Sequence, residues 1–171
     1  TSTERGNTRK VMFIDIGKAH LYAPMCEDAF IELPAGRAKP GKCGKLIYTL
    51  YGMRMAASNW EAEYSKTLEE NGFIAGGANK GVFYNVEQGV RIAVHGDDFV
   101  IEGRDEDLRW VESLLRAKYI VKMRGVMGPE PADAKEVDIL NRVVRWGASQ
   151  LQYEADPRHV EKILRDMGME T

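Results

Sequence analysis

The sequence predicts an α+β domain in which an antiparallel or mixed sheet carries its helices on one face. Short apolar runs of strand length recur along the chain, mostly in pairs about a tight turn, and three segments with a helical apolar period separate them. The length of 171 residues suits one globular domain, and a hydrophobic content of 44% is what a packed core requires.

The first part of the chain predicts three strands and a helix. Residues 10–16 form an apolar run that carries Asp15 near its end. Residues 30–33 and 45–48 flank a turn-rich stretch and are expected to pair as a hairpin. Beyond them an apolar side chain recurs at every fourth position, which predicts a helix that ends near 71–72. Its apolar stripe, expected in the core, is formed by Ala56, Trp60, Tyr64 and Leu68.

The second part predicts a hairpin that places acidic residues at its tip. Apolar runs at 90–94 and 99–101 enclose the sequence Gly96-Asp97-Asp98, which is typical of a tight turn between two strands. The other predicted elements are a strand at 82–84, an amphipathic helix from Asp105, a strand at 119–122, a second hairpin from 137–146 and 151–153, and a last helix from Asp156-Pro157 to Gly168. One side of the last helix is apolar and is formed by Val160, Ile163, Leu164 and Met167.

Acidic residues end two of the predicted strands, and their convergence would create a cation site. Asp15 ends one strand, and Asp97 and Asp98 end another. If these strands are neighbours, the carboxylates repel one another unless a hard cation such as Mg²⁺ neutralises them. Sites of this kind commonly hold two metals about 3.5 to 4 Å apart and catalyse phosphoryl transfer. The alternative interpretation is a solvated turn and an ordinary acid at the end of a strand.

The charge is nearly balanced overall but is unevenly distributed. Lys and Arg total 24 and Asp and Glu total 26, so the composition by itself does not indicate a nucleic-acid-binding protein. Residues 33–60 contain no acidic side chain and form a basic segment that predicts binding to a phosphate backbone. The alternative is a solvated loop balanced by the acidic helix at 105–112. The cations of the basic segment are Arg37, Lys39, Lys42, Lys45 and Arg54.

Targeting and cysteine patterns predict a soluble intracellular protein of the cytoplasm or nucleus, with no membrane partner. No apolar run approaches the roughly 18 residues that a membrane span needs, and the polar start is unlike a secretory signal. Cys26 and Cys43 lack the paired spacing of a zinc site and are too few for a disulfide scaffold. We therefore expect both cysteines to be reduced thiols.

Five segments follow one another in an order that is specific to one family. Residues 15–21 have an Asp followed four positions later by Ala, residues 50–60 resemble Leu-Tyr-Gly-Leu-Lys-Gln-Ala-Pro-Arg-Ala-Trp, and residues 95–98 stand in the place of Tyr-Val-Asp-Asp. Segments 119–125 and 153–168 resemble the later motifs of the same family. From about Val11 to Met169 the chain thus resembles the reverse transcriptase of copia-type retrotransposons.

This resemblance implies a polymerase palm, with a ferredoxin-like antiparallel sheet and helices on one face. The palm domain would span residues 1–154 and include partial fingers at 29–50, and residues 155–171 would begin the thumb with its first helix. Further polyprotein segments or a partner chain would supply the rest of the fingers and thumb. The implied activity is DNA synthesis on an RNA or DNA template, in which a primer 3′-hydroxyl attacks the α-phosphate of a deoxynucleoside triphosphate and releases pyrophosphate.

The same resemblance assigns roles to individual residues. Asp15 and Asp97 would ligate both of two Mg²⁺ or Mn²⁺ ions, Asp98 would support the second ion, and the carbonyl of Ile16 would add a ligand. The remaining assignments are His20 as the sugar gate under the deoxyribose, Lys122 as a proton donor to pyrophosphate, and Arg54 and Gly96 as substrate-binding residues. A surface histidine at the end of a strand and a solvated strand lysine are the alternatives for His20 and Lys122.

Several positions depart from the family pattern. His95 and Gly96 replace an aromatic and a branched residue beside the acidic pair, and Met55 and Ala57 replace Gln and Pro in the second motif. Asn141 stands where the family usually has Gly. A rival interpretation is a palm-derived fragment that acts as a structural or interaction subunit with its acids unused. A ferredoxin-like binding module without polymerase ancestry is the third, and it would make the five ordered motifs a coincidence.

Overall fold

A computed structural model describes residues 8–140, 142–148, 150–154 and 157–169, and it confirms the α+β class. The strands up to residue 127 are β1 (Lys10–Gly17), β2 (Phe30–Ile31), β3 (Gly44–Lys45), β4 (Ile74–Ala75), β5 (Val82–Asn85), β6 (Val90–His95), β7 (Asp98–Gly103) and β8 (Ile120–Met127). The main sheet has six of them, all pairing antiparallel, in the order β4-β5-β6-β7-β1-β8. Strands β2 and β3 pair with each other as a separate two-stranded hairpin.

Two helices cover one face of the main sheet, as the sequence predicts. These are α1 (Ala56–Glu69) and α2 (Asp105–Arg116). The predicted stripe of α1 is buried, since Trp60 is 1% and Leu68 is 0% exposed. Helix α2 contributes Val111 and Leu115 to the same core, which rests on side chains such as Ile14 of β1. Burial of this apolar area is the main force that holds the helices on the sheet.

A second, smaller sheet packs on the opposite face. Its strands β9 (Glu136–Ile139), β10 (Arg142–Trp146) and β11 (Leu151–Tyr153) pair antiparallel in the order β11-β10-β9, so the expected hairpin has a third strand. A separate apolar cluster forms where this sheet meets β1 and β8. The buried members of that cluster are Phe13, Met127, Val137, Ile139 and Val144. Because side chains alternate along a strand, Asp15 shares the face of Phe13 and not that of the helices.

Strand β8 contains a β-bulge at Arg124. Its pairing with β1 shifts register there, since Ile14 lies opposite Met123 while Phe13 lies opposite Gly125. The extra residue shifts the alternation of side chains by one position, so that residues an odd number apart on either side of the bulge share a face. Val121 and Val126, five positions apart, both pack into the core beneath the helices.

The peripheral elements are short or exposed. The predicted hairpin at 30–33 and 45–48 forms, but β2 and β3 have only two residues each. Helix α3 (Pro157–Asp166) forms as predicted, whereas its apolar side is exposed, with Ile163 at 57% and Met167 at 66%. Asp156, the predicted start of this helix, and Asn141 lie outside the described residues. In the described parts of the chain, every helix is too short or too polar to cross a bilayer.

Candidate active site

The strands that carry the predicted acids are neighbours in the main sheet. Asp15 of β1 lies directly opposite Asp98 of β7 in the antiparallel ladder. The backbone N–H of Ile16 donates to the carbonyl of Asp97 over 2.8 Å, which fixes the turn against the end of β1. Asp15 is 8% exposed, whereas Asp97 projects from the turn and is exposed. The sheet thus brings two carboxylates side by side and places the third one residue away.

A two-residue turn presents these acids. His95 pairs with Asp98, so only Gly96 and Asp97 lie between β6 and β7. Gly96 has φ of 63°, a value that a tight hairpin turn needs at its first position and that glycine adopts without strain. The indole N–H of the buried Trp60 donates to the Gly96 carbonyl over 2.7 Å. Sequence analysis assigned Trp60 to the core alone, because periodicity carries no information about a hydrogen bond across 36 residues.

Two cations of β8 face the acidic pair that Asp15 and Asp98 form across the strands. Arg124 Nη2 donates to Asp15 Oδ2 over 2.8 Å and lies 3.8 Å from Asp98 Oδ1. Lys122, predicted for the site, has its Nζ 3.3 Å from Asp15 Oδ1 and is more exposed than Arg124. Arg124 was not predicted. Its only sequence signal is the spacing of two from Lys122, which puts both side chains on one face of a regular strand.

Two oxygens of the acidic pair are buried without a hydrogen bond. These are Asp15 Oδ1 and Asp98 Oδ1, whose neighbouring cations lie at ion-pair distance but outside hydrogen-bond geometry. Burial raises the pKa of Asp98 above its usual value, and the charges of Asp97 and Asp15 raise it further, although Arg124 opposes them. Unpaired buried carboxylate oxygens are the donor type that hard divalent cations prefer. Among the residues that the structure describes, no three acidic, His or Cys side chains form a complete metal site.

An aromatic pair lies beside the carboxylates. His20 belongs to a 3₁₀ turn, Ala19–Tyr22, that follows β1, and its ring centroid lies 4.6 Å from that of Tyr51. The buried Thr49 hydroxyl donates to the His20 carbonyl over 2.6 Å, and His20 Nδ1 is buried without a partner. Burial raises the pKa of Tyr51, and the charges of Asp97 and Asp15 add to this effect. Tyr51 was part of a recognised motif but was not itself predicted for the site.

The predicted nucleic-acid-binding residues lie on an exposed segment. Arg37, Lys39, Lys42 and Lys45 belong to or flank the small hairpin of β2 and β3, and all four are exposed. Lys45 is paired with Asp28 at 2.5 Å. Arg54 is exposed just before α1. The ion pairs of Asp15 and Asp98 within the described residues are with Lys122 and Arg124 and not with this group.

Comparison with known proteins gives the family. Residues 3–128, more than half of the chain, match the sequence profile of the family described as reverse transcriptase (RNA-dependent DNA polymerase). The matched region includes both acidic strands, the aromatic pair and β8. The large antiparallel sheet with helices on one face is consistent with part of a polymerase palm. The chain therefore belongs to the reverse transcriptase (RNA-dependent DNA polymerase) family.

Proposed function

We propose that this chain carries the nucleotidyl-transfer site of a copia-type reverse transcriptase, an RNA-directed DNA polymerase. The observation that carries the proposal is the direct cross-strand pairing of Asp15 with Asp98, beside the turn that holds Asp97. Membership of the reverse transcriptase family supplies the reaction class. The reaction would join the primer 3′-hydroxyl to the α-phosphate of a deoxynucleoside triphosphate and release pyrophosphate.

The acidic pair fits Mg²⁺ or Mn²⁺. Asp15, Asp97 and Asp98, with the carbonyl of Ile16, would hold the ions, and the two buried oxygens without hydrogen bonds support this assignment. When bound, divalent cations neutralise the charge that develops on the attacking and leaving oxygens. The chain itself contributes a preorganised site, because the antiparallel register and the turn fix the carboxylates before any ligand arrives.

The neighbouring side chains would bind and orient the nucleotide. His20 would lie under the deoxyribose, where it would exclude a 2′-hydroxyl, and its tilted ring contact with Tyr51 supports a fixed ring position. Lys122 would donate a proton to pyrophosphate, and its partly exposed ammonium next to Asp15 supports access to solvent. Gly96 and Arg54 would complete the substrate contacts.

The basic segment would bind the template and primer. Its exposed cations provide a positive surface that polyanions bind with release of counterions. We assign residues 29–50, which hold four of the five cations of the basic segment, to partial fingers within a palm of residues 1–154, and residues 155–171 to the start of the thumb. Further polyprotein segments or a partner chain would supply the rest, in the cytoplasm or nucleus.

Primer extension tests the proposed activity. With oligo-dT on poly-rA and Mg²⁺ or Mn²⁺, we expect Asp98→Asn to lose more than about 100-fold in rate, because a metal-holding carboxylate is removed. Asp138→Asn, which changes an exposed acid of the second sheet, is the matched control and should keep the rate of the unmodified chain. Equal rates of primer extension by Asp98→Asn and Asp138→Asn would contradict the proposal.

A structural role is the second candidate, and the exposed apolar side of α3 favours it. A palm-derived subunit with idle acids would bind no divalent cation at Asp15 and Asp98. Calorimetric titration with Mn²⁺ separates the two functions even for a chain that needs a partner to polymerise. Binding heats that disappear in Asp98→Asn would support the enzyme. Binding heats that are equal in Asp98→Asn and the unmodified chain would support the structural subunit.

Binding to a short RNA–DNA hybrid tests the basic segment. Because each neutralised phosphate releases counterions, the logarithm of the binding constant should fall linearly with the logarithm of the salt concentration. Neutralising Lys39 and Lys42 together should reduce that slope by about 2. Lys66→Gln, at a surface lysine of α1, is the control and should leave the slope unchanged. A flat salt response in the unmodified chain would contradict the assignment.

A further inference from the structure

Arg124 occupies an unusual place in the sheet. It is the unpaired residue of the bulge in β8, between Met123 opposite Ile14 and Gly125 opposite Phe13. Bulges often direct a side chain toward a functional site. Here the guanidinium lies over the acidic pair, with one nitrogen within ion-pair distance of Asp15 and Asp98.

The Arg124 guanidinium offsets the negative charge of Asp15 and Asp98 but does not hydrogen-bond to all of their oxygens. Its nitrogen uses Asp15 Oδ2 as its hydrogen-bond acceptor, while Asp15 Oδ1 and Asp98 Oδ1 stay buried and unbonded. Buried acceptors are normally hydrogen-bonded, so two orphaned oxygens in one pair of side chains require a reason. Arg124 thus provides charge to the pair but leaves open the two oxygens that another cation could bind.

Arg124 Nη2 lies 3.8 Å from Asp98 Oδ1, so a divalent cation bound at that oxygen would be a close neighbour of the guanidinium. Like charges a few ångströms apart at a partly buried position repel strongly. The Arg124 side chain is 45% exposed, so it can turn into solvent. The side chains of Asp15 and Asp98 are only 11% and 14% exposed, and the sheet holds them in place. The mobile partner is therefore the arginine.

We propose that Arg124 is an internal counter-cation that holds the metal-free acidic pair together and competes with divalent cations for it. This inference rests on the proposed function, since it assumes that the pair binds Mg²⁺ or Mn²⁺. Arg124 is a positioning residue in this role. It keeps the two carboxylates from separating while the site is empty, and it weakens metal binding by having to leave. Metal affinity is thus set by a side chain that is not itself a ligand.

The test is Mn²⁺ affinity measured by calorimetry on the full chain. Removing the competing charge in Arg124→Gln should lower the Kd for Mn²⁺ about tenfold. Arg124→Lys retains the charge and should bind Mn²⁺ nearly as weakly as the unmodified protein. Arg145→Gln is the matched control, because Arg145 is also half-exposed and also pairs with two carboxylates, and it should change nothing.

A second measurement needs no variant that could fail to fold. In the unmodified protein, nuclear magnetic resonance of the arginine side chains should show an ordered Arg124 guanidinium without metal. Saturating Mg²⁺ should release it, with loss of its protection from exchange, and Arg124→Lys assigns the signal. A guanidinium that stays equally ordered at saturating Mg²⁺ would overturn the inference.

The outcomes separate this inference from the proposed function. If Asp98→Asn abolishes Mn²⁺ binding while Arg124→Gln binds as weakly as the unmodified chain, the counter-cation role is wrong and the function stands. If Mn²⁺ binding is absent from both the unmodified protein and Arg124→Gln, or persists unchanged in Asp98→Asn, the proposed function itself fails. Tighter binding by Arg124→Gln that Asp98→Asn removes in the double variant supports both.

Discussion

Strand β1 carries a charged cluster at each end, and the two clusters are built in opposite ways. At its start, one buried ammonium, that of Lys10, faces Asp105, Glu130 and Asp133 at 3.0, 3.3 and 2.9 Å. At its end, the buried groups are acidic and the cations around Asp15 are half-exposed. The first cluster surrounds its charge with partners, whereas the second leaves oxygens without hydrogen bonds.

The difference separates a stabilising cluster from the proposed binding site. Burial by itself lowers the pKa of Lys10, yet hydrogen bonds to Asp133, Asp105 and Glu130 raise it above the ordinary value. Near Asp98 the balance is reversed, because burial and neighbouring acids outweigh one cation. A fully partnered buried charge holds elements together, and buried carboxylate oxygens without hydrogen bonds in a rigid frame mark a place for a ligand.

The largest expected effect comes from breaking the fully partnered cluster around Lys10. Lys10→Met should cost about 3 kcal/mol of unfolding free energy, because it leaves the buried carboxylate of Asp133 without its cation. Urea denaturation at pH 7 measures this loss, and Lys66→Met, at a surface pair 3.9 Å from Glu70, should cost little. Mn²⁺ affinity should be unchanged. A loss below about 1 kcal/mol would mean that the cluster contributes no more than a surface pair.

The cluster around Asp15 and Asp98 depends on the turn that Trp60 anchors, and Trp60→Phe tests this dependence. Loss of the indole N–H leaves the Gly96 carbonyl unbonded and opens a small void, so stability should fall by about 2 kcal/mol. Because the turn loses its anchor, Mn²⁺ should also bind more weakly in calorimetry. Trp110→Phe, which alters a ring stacked on Phe73 beneath α2, is the control and should affect stability alone. Equal Mn²⁺ affinity in both variants would contradict an anchoring role.

The smallest effects concern pH, and they should have opposite signs at the two clusters. Burial would raise the pKa of Asp133, but bonds from Lys10 and the Glu130 amide lower it, so its ionised form stabilises the fold. Asp133→Asn should therefore lower Tm at pH 7, and that difference should begin to shrink near pH 4 and decrease as the pH falls toward the lowered pKa. Asp98 has a raised pKa, so its charge costs stability at neutral pH and protonation relieves the cost.

Asp98→Asn should accordingly raise Tm at pH 7 in metal-free buffer, with the gain shrinking as the pH falls through the raised pKa. Thermal scans of both variants between pH 3 and 7 measure the two trends. Shifts of the same sign at pH 7 would show that the clusters are electrostatically alike.

The sequence predicted the elements whose side chains repeat regularly. The stripe of α1 and the hairpin around Gly96 are confirmed because period and turn chemistry are local properties. Strand β4 was missed, since two residues are too few to show a period. The apolar side of α3 was recognised, but a local pattern does not tell whether the chain itself covers it.

The acids of the site were predictable, and their counter-charge was not. Asp15 ends one apolar run and Asp98 begins another, so placing their antiparallel strands side by side was enough to bring them together. The role of Arg124 depends on the pairing of β8 with β1, which places its side chain beside Asp15 and which no local pattern reveals. The anchor of the turn depends on a contact across two elements.

The bulge lets β8 carry one more residue without changing which way its later side chains point. Deleting Arg124 would give an uninterrupted strand in which Val121 and Val126 are four positions apart and still share a face, because side chains alternate. Met127 would therefore stay in the cluster it shares with Val137, whereas Asp15 would lose the guanidinium that pairs with it. The extra residue is thus not needed for the packing of the small sheet, and what it provides is a positive charge beside the two carboxylates.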